Sequence, residues 1–193
     1  MSTAETSATR YGGIAVALHW IIAVCLLVSI ILGLIIGDVE ESASTERVLA
    51  IHKSVGITIF VLMLVRLAWR LTHRTPPLPA SMPTYQRALA ALTHALLYLT
   101  LLVMPLVGYV AVAARGRETQ FFGLFDVPQM APLSRMLSQN ATMVHVYGQY
   151  VIYALLAAHI GAAFFHHFVL RDDVLARMLP RRSPEKNAPW TTF

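Results

Sequence analysis

Acid is missing from the middle of this chain: no aspartate or glutamate occurs between Glu46 and Glu118, and two long apolar stretches fall inside that interval. Charged residues of either sign make up only 13% of the 193 residues, whereas hydrophobic residues make up 56%, more than the roughly 45–50% usual in a globular protein. Such a composition points to lipid as the solvent and to a single domain spanning 1–193. Cysteine is almost absent. The lone Cys25 lies in an apolar run, which excludes an internal disulfide and any metal site built on paired thiolates. No Cys-x-x-Cys-His occurs, which excludes the usual thioether attachment of haem, so a haem in this chain must be held non-covalently. The net charge of +5 does not indicate nucleic acid, because the basic residues sit at the ends of apolar runs and in the tail, without an aromatic-interleaved basic patch.

What is present is four apolar stretches, each long enough for the roughly 20 helical residues that a bilayer core requires: Ile14–Ile36, Ile51–Leu71, Ala88–Ala114 and Met143–Leu170. The expected fold is therefore an all-α membrane protein, a four-transmembrane-helix bundle. The first stretch is too long for the apolar region of a signal peptide and is read as retained. Its link to the second, Gly37–Ala50, is acidic. The next link, Thr72–Arg87, carries Pro76, Pro77, Pro79 and Pro83 and cannot be helical throughout. The last, Arg115–Thr142, contains Phe121, Phe122, Phe125 and two prolines, and is read as a cap on the membrane surface over the outer end of the bundle.

Lys and Arg fall unequally on the two sides. Arg10, Arg66, Arg70, Arg74, Arg87, Arg171, Arg177, Arg181, Arg182 and Lys186 lie on one side, against Arg47, Lys53, Arg115, Arg117 and Arg135 on the other. The positive-inside rule then predicts both termini in the cytoplasm, with a basic tail over 181–193 and the first and last links facing outward.

Ionisable groups within a span are expensive and imply function, and His19, His52, His94, His145, His159 and His166 all lie within or at the edges of the spans. Bis-histidine ligation of haem explains such a set, since neutral imidazoles from facing helices can hold one iron from both sides of a flat macrocycle. Depth pairs His52 with His145 near the outer side, and His19 with His159 nearer the cytoplasm. His145 and His159 are 14 residues apart, a rise of about 21 Å and close to four turns, so one helix presents both from nearly the same face. A lone histidine would be explained by hydrogen bonds to neighbouring helices. Four at paired depths with this spacing favour ligation. His94 lies at a depth that makes it an alternative to His19. His166, seven residues beyond His159, is read either as a proton relay or as an interfacial side chain, while His73 and His167 are expected to be solvated.

Cations and small residues add secondary candidates. Arg47 and Lys53 flank His52, where they could neutralise haem propionates or attract a small anion, and a solvated interfacial pair is the competing reading. Arg66, Arg70 and Arg74 form one stripe, which contact with lipid head groups explains as well as a specific role does. Gly56 and Gly108 would allow close approach of a macrocycle or, more simply, of another helix, and Pro105 is expected to bend the third span. Trp69 fits an interfacial aromatic belt, and Trp20 adjoins a proposed ligand.

The motifs LHW at Leu18–Trp20, IHKSVG at Ile51–Gly56, HALLYLTLLVMPLVG at His94–Gly108, HVYGQYVIYALLAAHIGAAFFHH at His145–His167 and RMLP at Arg177–Pro180 together resemble the prokaryotic cytochrome b561 family, over roughly Tyr11 to Pro180. The resemblance implies a multi-pass protein of the bacterial inner membrane carrying two b haems, with axial ligands matching His19, His52, His145 and His159. It also implies electron transfer involving ubiquinone, and for some members oxidation of superoxide at the periplasmic face.

The leading expectation is thus a quinone-linked oxidoreductase that takes electrons from a small periplasmic donor, with Lys53 and His166 as candidate catalytic side chains and the quinone pool and membrane lipids as partners. The alternative is a haem-bearing anchor subunit that docks a separate dehydrogenase. A metal-ion transporter is disfavoured, because transport sites usually need carboxylates or broken helices at mid-membrane and these spans contain no acid.

Overall fold

The computed structural model describes residues 10–38, 43–79 and 82–180. Glu40 and Glu41 of the first link, and the basic tail 181–193 with Arg181, Arg182 and Lys186, lie outside the described residues. Four helices follow one another: α1 (Gly13–Asp38), α2 (Ala43–Thr72), α3 (Thr84–Ala113) and α4 (Arg135–Phe164). All four are long and apolar enough to cross a membrane. Their lengths of 26 to 30 residues correspond to about 39–45 Å, more than a hydrocarbon core of about 30 Å, so the ends reach into the interfacial layers.

Consecutive helices pack side by side, α1 on α2, α2 on α3 and α3 on α4, whereas α1 and α4 scarcely touch. The bundle is therefore open along one seam. Its buried cluster comprises Ile22 and Leu26 of α1, Val55, Ile59 and Met63 of α2, Leu101 and Met104 of α3, and Ile152 of α4. Within lipid this cluster gains little from the hydrophobic effect, because the outward faces are as apolar as the core; close van der Waals packing holds it instead. Val24 and Leu27, 60% and 59% exposed, illustrate such an outward face.

Pro83 directly precedes α3, where a missing N–H costs nothing, while Pro105 lies inside a helix that continues to Ala113. Gly116 ends that helix with φ +74°, a left-handed cap that favours glycine. α4 begins about two turns before the apolar stretch, where the Ser134 hydroxyl accepts the Leu137 N–H at 3.2 Å and caps it. Below Phe164 the helix widens into a π-helical turn, Phe165–Leu170, closed by Arg171 at φ 55°.

The last link forms a hairpin, β1 (Thr119–Phe121) paired antiparallel with β2 (Phe125–Val127). Its turn places Phe122 and Gly123 at φ 49° and 70°, with Leu124 N–H donating to the Phe121 carbonyl at 2.9 Å. Two successive positive φ angles give a turn whose twist matches the strands, and glycine meets that demand at the second position. The hairpin docks on α2. Ser54, 1% exposed, accepts the Phe122 N–H (2.9 Å) and points its hydroxyl at the carbonyls of Gln120 (3.2 Å) and Ala50 (2.9 Å). Tyr109 of α3 holds the far side, donating to the Pro128 carbonyl (2.6 Å) and accepting the Met130 N–H (2.8 Å). This is the hairpin end of the bundle. At the opposite, terminal end the chain after α4 folds back on earlier segments: Arg10 donates to the Ala176 carbonyl, Trp20 to Met178 and Arg177 to Pro77.

Candidate functional site

Near the hairpin end, α2 and α4 bring His52 and His145 to a ring-centroid distance of 6.0 Å with their planes at 89°. Each ring is oriented by a backbone carbonyl from a third helix. The Nδ1 of His52 lies 3.1 Å from the Ser29 carbonyl of α1, and the Nδ1 of His145 lies 3.1 Å from the Met104 carbonyl of α3. A carbonyl only accepts, so Nδ1 carries the proton in both rings and Nε2 keeps its lone pair for a metal. Glycine makes the second of these contacts possible: a Cβ on Gly108 would lie 2.9 Å from His145 Cε1.

Toward the terminal end, α1 and α4 bring His19 and His159 to the same centroid distance, 6.0 Å, with planes at 63°. His94 of α3 joins them, 5.2 Å from the His159 ring, its Nδ1 donating to the Ala90 carbonyl at 2.6 Å. One turn below His19, the Ala15 carbonyl accepts from Arg66 Nη1 (3.0 Å), while Arg66 Nε donates to the Tyr98 hydroxyl (3.1 Å). Trp20 presents an edge to His19 at 5.4 Å.

Two imidazoles on opposite sides of one iron, each with a metal–nitrogen bond of about 2 Å and a ring centroid about 1.1 Å behind its nitrogen, stand roughly 6 Å apart. Both pairs fit that spacing. His94 and His159 are closer than it allows. A pair of histidines is also too few ligands for a bare ion, and among the described residues no group of three or more His, Cys, Asp or Glu is arranged to hold one. A macrocycle that fills the other positions on the metal suits the pairs. Space for one exists: a Cβ on Gly56, one turn from His52, would meet nothing within 4 Å. The open seam between α1 and α4 holds a cleft of about 470 Å³ lined by Gly33, Gly37, Val146 and Tyr150. Gly33 faces His52: a Cβ added there would lie 3.5 Å from the His52 Cε1. The residues present thus fit haem.

His145 and His159 share one face of α4, and Ile152, buried and seven residues from each, sits midway between them. The apolar cluster therefore fills the space between the two levels.

The other singled-out residues fall into separate places. Lys53 is beside His52 in sequence, and its Nζ donates to the Glu118 carbonyl at 2.9 Å, tying α2 to the start of the hairpin strand. Arg47 is exposed. His166 is buried, and its Nδ1 meets Asp172 Oδ2 at 2.6 Å in the π-helical turn, apart from both histidine pairs. His73 stacks on Trp69 at 3.6 Å, and His167 is exposed. Of the two glycines, Gly108 is where a ring approaches and Gly56 is where open space lies. Sequence reasoning overlooked Ser54 and Ser138. Ser138, fully buried, donates to the Ala111 carbonyl at 2.7 Å and accepts from Arg115 Nε at 2.7 Å, joining α4 to α3 at the hairpin end. For Ser54, two residues after His52 and followed by an apolar run, a lone hydroxyl was the available signal, whereas Ser138 stands in a polar stretch that offered none.

Residues 10–181 match the family described as prokaryotic cytochrome b561. Cytochrome b561 homolog 1 of Escherichia coli K12 is 32% identical over 176 residues, covering 90% of this chain and 98% of the relative. Cytochrome b561 homolog 2 of the same organism is 32% identical over 178 residues, covering 91% and 94%. A probable superoxide oxidase, CybB of Yersinia pestis, is 27% identical over 178 residues, covering 90% and 97%. With four apolar helices and a family match over nearly its whole length, the chain belongs to the prokaryotic cytochrome b561 family of membrane proteins, whose members imply b-type haem.

Proposed function

We propose that this protein is a di-haem cytochrome that carries electrons singly between a small periplasmic donor and ubiquinone, with both termini in the cytoplasm, an orientation that the Lys and Arg distribution supports. The carrying observation is the equal 6.0 Å separation of two cross-helix histidine pairs, His52 with His145 and His19 with His159. Haem bound at these pairs supplies one-electron exchange between ferric and ferrous iron. The protein's part is to orient and to insulate. The carbonyls of Ser29 and Met104 fix the tautomers of His52 and His145, and the cluster around Ile152 excludes water between the two levels. Lys53, at the hairpin end, adds a positive charge that would attract an anionic donor. His166, whose Nδ1 meets Asp172 Oδ2 at the terminal end, would relay a proton to a quinone.

Superoxide is the donor we infer, because the Yersinia pestis relative is named a probable superoxide oxidase. Two superoxide ions would each lose one electron and leave as dioxygen, and the two electrons with two protons would convert ubiquinone to ubiquinol. The test is haem quantification and a reduced-minus-oxidised spectrum on purified wild type and on His19→Ala, His52→Ala, His145→Ala and His159→Ala, followed by quinone reduction in a superoxide flux. Two b haems per chain, one lost in each variant, together with quinone reduction by the chain alone, are expected. Full haem in all four variants would refute the ligand assignment; quinone reduction only in the presence of a dehydrogenase would replace the enzyme by an anchor subunit.

A further inference from the structure

The terminal end contains a second site that the histidine pairs do not use. A cavity of about 160 Å³ opens between the start of α1, the end of α2 and α3, and it is lined by Arg10, Arg66, Arg70 and Arg74 together with Trp69 and Tyr98. Four arginines line it, and no carboxylate stands among its described lining residues. Among the described residues after α4, the carboxylates are Asp172 and Asp173, and both are engaged, with His166 and Arg177. Two of the arginines are fixed by hydrogen bonds and a third rests on a ring, while Arg70 and Arg74 keep exposed surface. Arg66 is held by the Tyr98 hydroxyl and the Ala15 carbonyl, Arg10 by the Ala176 carbonyl, and Arg70 lies over the Tyr98 ring, its guanidinium carbon 5.6 Å from the centroid. Like charges around one cavity repel, and at a membrane edge, where water is partly excluded, that repulsion is relieved by a bound anion.

We propose that this cavity binds the phosphate of an anionic phospholipid. Guanidinium groups match phosphate oxygens in a bidentate fork, and several of them recognise the doubly bonded and singly bonded oxygens together. The lipid, rather than free phosphate, is the source, because Leu71 beside Arg70 is 78% exposed and the outward faces of α2 and α3 offer apolar surface for acyl chains directly above the cavity. A zwitterionic lipid fits poorly, since its ammonium group would meet the same four cations. The arginine stripe of α2 is thereby given a specific ligand rather than general attraction to head groups.

The test uses the full-length, haem-loaded protein in detergent, with native mass spectrometry during titration by phosphatidylglycerol, phosphatidylcholine or inorganic phosphate. Wild type is expected to retain phosphatidylglycerol over phosphatidylcholine, and Arg70→Gln and Arg74→Gln are each expected to weaken that retention at least about tenfold, with unchanged haem content. Arg135→Gln, at the hairpin end, is expected to leave it as in wild type. Equal retention of the two lipids, or undiminished phosphatidylglycerol binding in both cavity variants, overturns the proposal. Inorganic phosphate that binds as tightly as the lipid overturns the assignment to lipid. Loss of haem from the Arg70 and Arg74 variants overturns it differently, by assigning these arginines to the carboxylates of the cofactor; because lipid retention is read by mass, the site stands or falls apart from the electron-transfer reading.

Discussion

Gly108→Ala is the sharpest probe of how the hairpin-end histidine pair is held. The added Cβ would lie 2.9 Å from His145 Cε1 and 3.0 Å from its Nδ1. Carbon atoms are at ease at about 3.5–4.0 Å, so the ring must withdraw by about half an ångström or more, away from a helix whose backbone cannot yield without breaking its own hydrogen bonds. The withdrawal strains the Nδ1 contact to the Met104 carbonyl, now 3.1 Å, whose loss costs about 1 kcal/mol. It also shifts Nε2, the nitrogen that would ligate iron. Disturbing the partner that orients a metal-ligating histidine typically costs about 10–100-fold in affinity. We therefore expect haem titration of the Gly108→Ala apoprotein to show one site unchanged and one weakened by about that factor, with the His19–His159 site unaffected and helical content by circular dichroism preserved. Gly56→Ala supplies the contrast, because a Cβ there would meet no atom of a neighbouring helix within 4 Å, so any haem loss there reports the macrocycle itself. Two haem sites of wild-type affinity in Gly108→Ala would refute the claim that this glycine seats His145.

Three other outcomes are expected. His94→Ala keeps two haems per chain by absorption, since its ring is 5.2 Å from His159 and too close to face it across an iron, whereas His19→Ala keeps one; the reverse result would make His94 the ligand. Ser54→Ala leaves the Phe122 N–H without its hydroxyl acceptor in a part-buried contact, at about 1 kcal/mol, and faster hydrogen exchange over 119–127 is expected, with unaltered exchange there counting against the docking role. Arg117→Gln removes an ion pair with Glu46 of 3.2 Å whose side chains are 48% and 62% exposed, so thermal stability should change by less than about 1 kcal/mol; a larger loss would mean that this pair is part of a network.

The arrangement of residues along the chain made much of this visible beforehand. Runs such as Ile14–Ile36 are long and apolar enough that only a membrane helix satisfies their backbone, and the four runs led directly to four helices. The 14-residue interval from His145 to His159 is a property of one rigid helix, so its consequence, two rings on one face, required no tertiary information. The hairpin escaped notice because its strands are only three residues each and their docking partner, Ser54, lies 65 or more residues earlier in the chain. Likewise α4 starts at Arg135, in a polar stretch, because the Ser134 cap and the buried Ser138 contact stabilise turns that lipid does not.

Length, hydropathy and helical period, then, determined by sequence alone that the chain crosses a membrane four times and that α4 carries two histidines in line. Only the tertiary structure decided which rings meet. The depth of His19 and His94 into their own apolar stretches is nearly the same, and which of them stands 6.0 Å and which 5.2 Å from His159 depends on how α1, α3 and α4 are rotated against one another. The same is true of the carbonyls of Ser29 and Met104 and of the gap left by Gly108. Those are contacts between helices far apart in sequence, set by packing of whole faces, and no periodicity within a single helix encodes them.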